Sequence, residues 1–373
     1  MTKVTYLLGA GASYHAVSLV NEMNGRLYSF LKTFQSFKND EHEITNPMPN
    51  RNEGDRMRRR RERNIKPLQR ANDDLHRELP DELFSFYNTL KWLYEGMTNH
   101  SSVDTFAKKL YLKKNEESKI GLQKLKFALS AFLTIEQILS KQDMRYDKFF
   151  ATILGEDIKD FPPNMNIISW NYDYQFEMAY SDYVDSRNLI DIQSKLNVIE
   201  TESDNSLQKD KFSILKLNGT AGLHKSTNSK DEDQTIQDYL LPNSIKSTLH
   251  KLIKIHSARF DEKSEEVDEK VKMSFAWEKD SNISEKFNEA LRMTTDLVVI
   301  GYSFPLFNSG VDLKIFDYLG LDNIYIQDKS PESVESSVRA IYPDTECNID
   351  PSPSENLDEF FIPYDFIRER MNK

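Results

Sequence analysis

Residues 5–15 read TYLLGAGASYH, an apolar β-forming run that passes straight into glycines and then into Ser13. A strand that ends in a glycine turn ahead of a helix is the opening of a dinucleotide-binding fold, provided that further strands join it. Gly9 and Gly11 flank Ala10 at G-x-G spacing, but Tyr14 holds the third position of the G-x-G-x-x-G fingerprint. Glycines there permit a sharp turn and close backbone approach to a pyrophosphate; Ser13 and the amides after it can cap a helix and face the anion. The same five residues also fit an ordinary strand-to-helix turn, so the decision rests on the rest of the chain.

Four more runs have the same character as KVTYLLGAG (3–11): MNIISWNYD (165–173), FSILKLNGT (212–220), TDLVVIGYSF (295–304) and NIYIQD (323–328). Mostly continuous apolar runs of this length suit strands buried on both faces of a parallel sheet. Each runs into small or polar residues, at the carboxyl edge where open α/β folds bind ligands. The expected fold class is therefore α/β, a Rossmann-like parallel sheet flanked by helices. It draws on residues 1–15 and 150–345, with a C-terminal tail at 346–373.

Residues 16–149 form a large insertion after the first strand, and its periodicity is helical. LPDELFSFYNTLKWLYEGM (79–97) sets Leu83, Phe86, Leu90, Leu93 and Tyr94 on one face. KIGLQKLKFALSAFLTIEQILS (119–140) does the same with Leu122, Leu125, Leu129, Phe132 and Leu133. Two polar segments are expected to be mobile: 39–74, a basic loop holding the run Arg58–Arg61, and the charge-dense 259–272. The arginine run reads as a solvated loop or subunit-contact arm, or else as an electrostatic patch for nucleic acid or an acidic partner. No aromatic residues interleave with the arginines, which weakens the nucleic-acid version. No internal repeat is evident.

The 373 residues suffice for one large or two moderate domains, and their net charge of −11 disfavours general affinity for nucleic acid. Cys347 is the single cysteine, which excludes an intrachain disulfide and a cysteine-rich zinc site. No metal is expected. The first apolar run is too short for a signal peptide and no run reaches about twenty apolar residues, so a cytoplasmic protein with no membrane association is expected.

Taken together, GAGAS (9–13), SWNYD (169–173), KLNGT (216–220) and GYSFP (301–305) resemble the loops of the sirtuin-like family, in order and over residues 1–15 and about 150–330. Within it the chain is more similar to the bacterial, NAD-consuming antiviral-defence branch than to the deacetylases, whose four-cysteine zinc module it cannot build. The resemblance implies NAD as substrate, hydrolysed to nicotinamide and ADP-ribose, with NAD depletion halting phage growth. It also implies a homo-oligomer and an activating or regulating partner protein or trigger. Nucleotide-binding positions carried over are Gly9, Ala10, Gly11, Ser13, Trp170, Gly219, Thr220, Gly301 and Ser303.

Cleaving the nicotinamide–ribose bond develops positive charge on the ribose and requires water on the vacated face. Asn171 can orient that water or a ribose hydroxyl, because an amide both donates and accepts; Asp173 can accept from the nicotinamide carboxamide. Spaced two apart at a strand end, both can lie on one side. The alternative is that they close a turn or cap the following helix. Asn218 stands where the family usually has a histidine base, and an amide cannot take up a proton in the physiological range. Three explanations stay open: water attack needs little base help, His224 or His15 substitutes, or the site binds a nucleotide without cleaving it. Asp312 can reach ribose hydroxyls or cap a helix; Gln327 and Asp328 end a strand where an acceptor for the adenosine ribose is expected. A dehydrogenase is disfavoured by the missing third glycine and the lack of an acidic residue ending a recognisable second strand. Hydrolysis and cyclisation of NAD are not distinguished.

Overall fold

Nine strands occur among the described residues: β1 (Val4–Leu8), β2 (Met165–Ser169), β3 (Val198–Glu200), β4 (Ser213–Lys216), β5 (Leu223–Lys225), β6 (Glu269–Val271), β7 (Asp296–Ile300), β8 (Asn323–Gln327) and β9 (Asn348–Asp350). The computed structural model describes residues 2–36, 79–140, 142–200, 205–225, 245–260, 269–278, 286–287, 289–343 and 346–371. Seven of the strands form one parallel sheet in the order β3-β4-β2-β1-β7-β8-β9, flanked by helices in an α/β, Rossmann-like arrangement. The five strands expected from the sequence form its centre. The two additions, β3 and β9, are three-residue edge strands, too short to leave a hydrophobic pattern.

Register fixes where the loops emerge. Leu8 lies level with Ser169 and Ile300, Ser169 with Lys216, and Ile300 with Gln327. Five strands therefore end on one line and deliver five loops to one edge. The β2 side and the β7 side run away from β1 in opposite directions, so the order reverses between β1 and β7, where a crevice opens in such sheets.

Period-two alternation divides the sheet into two apolar faces. One presents Leu7, Ile168, Leu215, Val299 and Ile326 to a cluster containing Phe316 of helix Ser309–Tyr318 and Val334 and Val338 of helix Pro331–Ile341. On the other, Tyr6 meets Phe149 of helix Met144–Ile153 edge-on, with ring centroids 5.3 Å apart. Phe176 of helix Gln175–Val184 packs on Tyr146 at 4.7 Å. At about 1.5–3 kcal/mol per buried large apolar side chain, these layers are the main stabilising term.

The domain limits differ from those expected. One compact unit comprises residues 1–15, 142–220 and 273–373; the other comprises 16–141 and 221–272. Helix Met144–Ile153 thus belongs to the sheet unit, because Phe149 and Phe150 pack on its aromatic layer. Nor is 346–373 a tail. β9 pairs with β8, and the Gln327 side chain donates to the Asn356 and Glu359 carbonyl oxygens while accepting from the Phe361 amide.

The second unit contains helices Val20–Ser36, Asp81–Asn99, Val103–Lys113, Glu116–Leu139 and Ile245–Phe260, with β5 and β6 as an antiparallel pair. Residues 221–272 join it because Thr89 bonds His256 at 2.7 Å and the Ser130 hydroxyl satisfies both the amide and the carbonyl of Gly222. The 119–140 segment is more than amphipathic: every residue from Phe127 to Gln137 is buried, as suits a central helix. Of the charge-dense 259–272 segment, Arg259 and Phe260 end a helix and Glu269–Val271 forms β6. Residues 261–268 and all of 39–74, with the arginine run Arg58–Arg61, lie outside the described residues. Among the described residues, no helix is long and apolar enough to cross a membrane.

Two glycines test the packing at the β1–β7 crevice. Gly301 has φ +59°, and a Cβ there would lie 2.3 Å from the Gly11 carbonyl carbon, whereas a Cβ on Gly310 would meet open space. Gly301→Ala is expected to destabilise the protein by at least about 2 kcal/mol. Gly310→Ala is expected to be neutral or to stabilise by up to about 1 kcal/mol. Urea unfolding of both variants checks the contrast.

Candidate functional site

The glycine loop after β1 and the loop after β7 are bonded backbone to backbone. The Gly9 amide donates to the Ile300 carbonyl at 3.0 Å, the Gly11 amide to the Gly301 carbonyl at 2.9 Å, and the Ala12 amide back to Gly9 at 2.9 Å. A Cβ on Gly9 or Gly11 would come within 2.6 Å of Gly301 backbone atoms. The close approach that these glycines permit is thus made first between the two loops themselves. The Tyr14 and His15 amides are also engaged, with the Gly11 carbonyl and the Asp143 carboxylate. Ala10, by contrast, is exposed, at the tip of the short 3-10 turn Ala10–Ser13.

Ser13 differs from its expected role. It is 1% exposed, so it is an internal hub. Its Oγ lies 2.6 Å from the Tyr146 hydroxyl, where either group can donate, and accepts from Asn171 Nδ2 at 3.2 Å. The same hydroxyl is among the polar groups that favour the ionised form of the Asp173 carboxyl, so Asn171 and Asp173 converge on one side chain. Each is 8% exposed.

Asp173 also closes the local turn that the alternative reading anticipated, accepting the Gln175 amide at 3.1 Å at the start of helix Gln175–Val184. Burial pushes its carboxyl above the ordinary value; the positive charge of Lys216 and the bonds from Ser13 and Gln175 pull the other way, while Glu177 adds to the rise. Below it, Lys216 Nζ bonds the Asp173 carbonyl oxygen and the Glu177 carboxylate, both at 2.7 Å.

In the loop after β4, Asn218 Nδ2 reaches the Trp170 carbonyl oxygen at 3.5 Å, and its Oδ1 is buried without a partner among the described residues. Its backbone carbonyl accepts the Ser274 amide at 3.0 Å, and Tyr172 donates to the Ser274 carbonyl at 2.9 Å. Gly219, with φ +74°, turns the chain so that the buried Thr220 hydroxyl meets Glu200 at 3.3 Å.

Trp170 stacks on Tyr302, with ring centroids 5.9 Å apart and planes 20° apart. The Tyr302 hydroxyl donates to Asp312, its contacts to the two carboxylate oxygens being 2.9 and 2.8 Å, and accepts from Asn308 at 3.0 Å. Asp312 is fully buried, so it holds Tyr302 instead of presenting a carboxylate to a ribose. Ser303 is exposed, and Phe304 takes φ +51° with its ring packed on Tyr302 and Phe316. Left-handed backbone at a non-glycine residue costs about 1–3 kcal/mol and persists where packing fixes it.

The remaining candidates are engaged differently. His224 is on β5, opposite Lys270, in the other unit. His15 is exposed, its ring 3.9 Å from that of Tyr14. The Asp328 carboxylate caps the Ser330 amide at 2.8 Å, and Gln327 is occupied by the C-terminal segment. Among the described residues no group of three or more His, Cys, Asp and Glu side chains gathers as metal ligands would.

Sequence reasoning passed over Tyr146, Lys216, Glu177 and the Arg145–Asp143 pair. Arg145 is 5% exposed, donates to the Ala12 carbonyl at 2.8 Å and is paired with Asp143 at 2.6 Å. Only Lys216 left a trace, as a charge inside an otherwise apolar strand. No protein-family model and no curated protein matches the chain.

Burial pushes the Asp312 carboxyl up to about 7 from 3.8, only partly offset by Tyr302 and the neighbouring Trp170. Between those values the folded protein holds a proton that the unfolded chain has released, so this group's stabilising contribution is full below pH 4 and is lost as pH rises to about 7. The stability of wild type relative to Asp312→Asn is expected to fall by up to about 4 kcal/mol across that window and to level off above it. Denaturant unfolding at several pH values measures this.

Proposed function

We propose that this chain binds NAD at the β1–β7 switch point and hydrolyses its nicotinamide–ribosyl bond, releasing nicotinamide and ADP-ribose. The observation that carries the reading is the hydrogen bond from Asn171 to Ser13, with Asp173 beside them, at the strand edge where the two glycine loops meet. Asn171 spends one N–H on Ser13, which leaves Oδ1 and a second N–H to orient a water or a ribose hydroxyl. Asp173, when ionised, adds negative charge near a developing ribosyl cation. The leaving nicotinamide takes the bonding electrons as a neutral amide. Water then bonds to C1 of the ribose and loses its proton to solvent, so little base assistance is required. The proposal extends to an NAD-depleting effector of antiviral defence, working as a homo-oligomer in the cytoplasm with an activating partner; the similarity of GAGAS, SWNYD, KLNGT and GYSFP to that branch supports it.

A second reading, a sensor that binds NAD or ADP-ribose without cleaving it and regulates a partner, is favoured by Asn218. That residue supplies no titratable base, and most glycine-loop amides are committed internally. Chromatography of NAD incubated with the purified chain, alone and with co-purifying proteins, separates the two. Nicotinamide release that falls about 100-fold or more in Asn171→Ala is the expected result. Saturable NAD binding with no release under any condition selects the sensor.

A further inference from the structure

Lys216 ends β4 and is 2% exposed, level with Ser169 in a strand whose residues are all buried. A lysine in such a place is expensive unless paired, and an apolar side chain would serve the sheet at least as well. Its ammonium has three defined neighbours: the Asp173 carbonyl oxygen at 2.7 Å, Glu177 Oε1 at 2.7 Å and the Tyr174 ring, whose centroid is 4.8 Å away. Glu177 is itself 0% exposed and takes a bond from Gln193 at 3.2 Å, while its Oε2 has no partner among the described residues. The pair is therefore incompletely satisfied, which is a poor way to stabilise a core. What it does achieve is local. It pins the turn carrying Asn171 and Asp173, and it sets a positive charge beside Asp173.

We propose that Lys216 is a positioning residue of this site, an internal cation that, against its counter-ion Glu177, ties down the Asp173 turn and sets a positive charge beside Asp173. The proposal rests on the NAD-cleaving reading of the same site. Four groups besides Lys216 face this region. Glu177 comes from helix Gln175–Val184, and Tyr146 with the Asp143–Arg145 pair comes from the start of helix Met144–Ile153. Asp143 and Arg145 neutralise each other at 2.6 Å, and Tyr146 is held neutral by burial. Lys216 and Glu177 are thus the two charges that act on Asp173 in opposite senses, Lys216 lowering its proton affinity and Glu177 raising it.

The test is titration of the Asp173 carboxyl by carbon-13 NMR in the full chain, assigned with Asp173→Asn, beside the pH profile of NAD cleavage. In Lys216→Met the Asp173 midpoint is expected to move up by about one pH unit. In Glu177→Gln it should move down, and in the double variant it should lie between the two. Cleavage by Lys216→Met should fall about tenfold on the acid limb and recover towards wild type on the alkaline side. A lysine that served only folding would lower the rate equally at every pH. Should Lys216→Met not fold, the downward shift in Glu177→Gln decides alone. Titrations of folded Lys216→Met or Glu177→Gln that coincide with wild type overturn the proposal. If wild type releases no nicotinamide while the midpoints shift as expected, the role of Lys216 stands and the NAD-cleaving reading fails.

Discussion

The contact on which this site depends is that between three α-carbons. Gly9, Gly11 and Gly301 bring the loops after β1 and β7 so close that a Cβ on any of them would lie within 2.6 Å of backbone on the other side. The hydrogen-bond ladder of the sheet consequently continues past the strand ends, from Gly9 to Ile300, from Gly11 to Gly301 and from Gly301 to Gln327. Extending the ladder fixes the start of the turn Ala10–Ser13, and with it the direction of the Ser13 hydroxyl. Had these loops been held apart by side chains, Ser13 would not be placed to join Asn171, Asp173 and Tyr146.

Beneath that contact lie two buried carboxyls treated differently. Both are pushed up by burial. Asp173 has a buried ammonium below its turn, a serine hydroxyl and a backbone amide, all of which favour the ionised form. Asp312 has a phenol, with an indole nearby, and no cation among the groups that act on it. Asp173 thus has a cation, a hydroxyl and an amide acting against its burial, whereas Asp312, pushed up to about 7, holds the aromatic wall of Trp170 and Tyr302.

Asn218 connects this architecture to the choice between cleaving and sensing. Its position is fixed from both sides, through its carbonyl to Ser274 and through its amide to Trp170, yet among the described residues its Oδ1 is left buried with no partner. An unmade acceptor bond costs about 1–3 kcal/mol, which a donor on a bound molecule or an ordered water relieves. That property belongs to recognition. Proton uptake is absent from its chemistry, so Asn218 itself can orient a bound group but not act as a base.

The sequence by itself determined the parallel sheet, because five apolar runs without alternation admit little else, and it placed the loops GAGAS, SWNYD, KLNGT and GYSFP at strand ends. It also singled out Asn171 and Asp173, whose spacing of two at a strand end lets both lie on one side. Only the tertiary structure decided what those residues touch. Ser13 became an internal hub, Asp312 a support for Tyr302 and residues 346–361 part of the sheet unit, while residues 221–272 joined the helices and Lys216, Glu177 and Tyr146 joined the site. The reason is physical. Hydrophobic periodicity is written locally along the chain. The partners of a buried polar atom come from segments separated by 43 residues for Lys216 and Asp173, or 133 for Ser13 and Tyr146, and no local pattern encodes them.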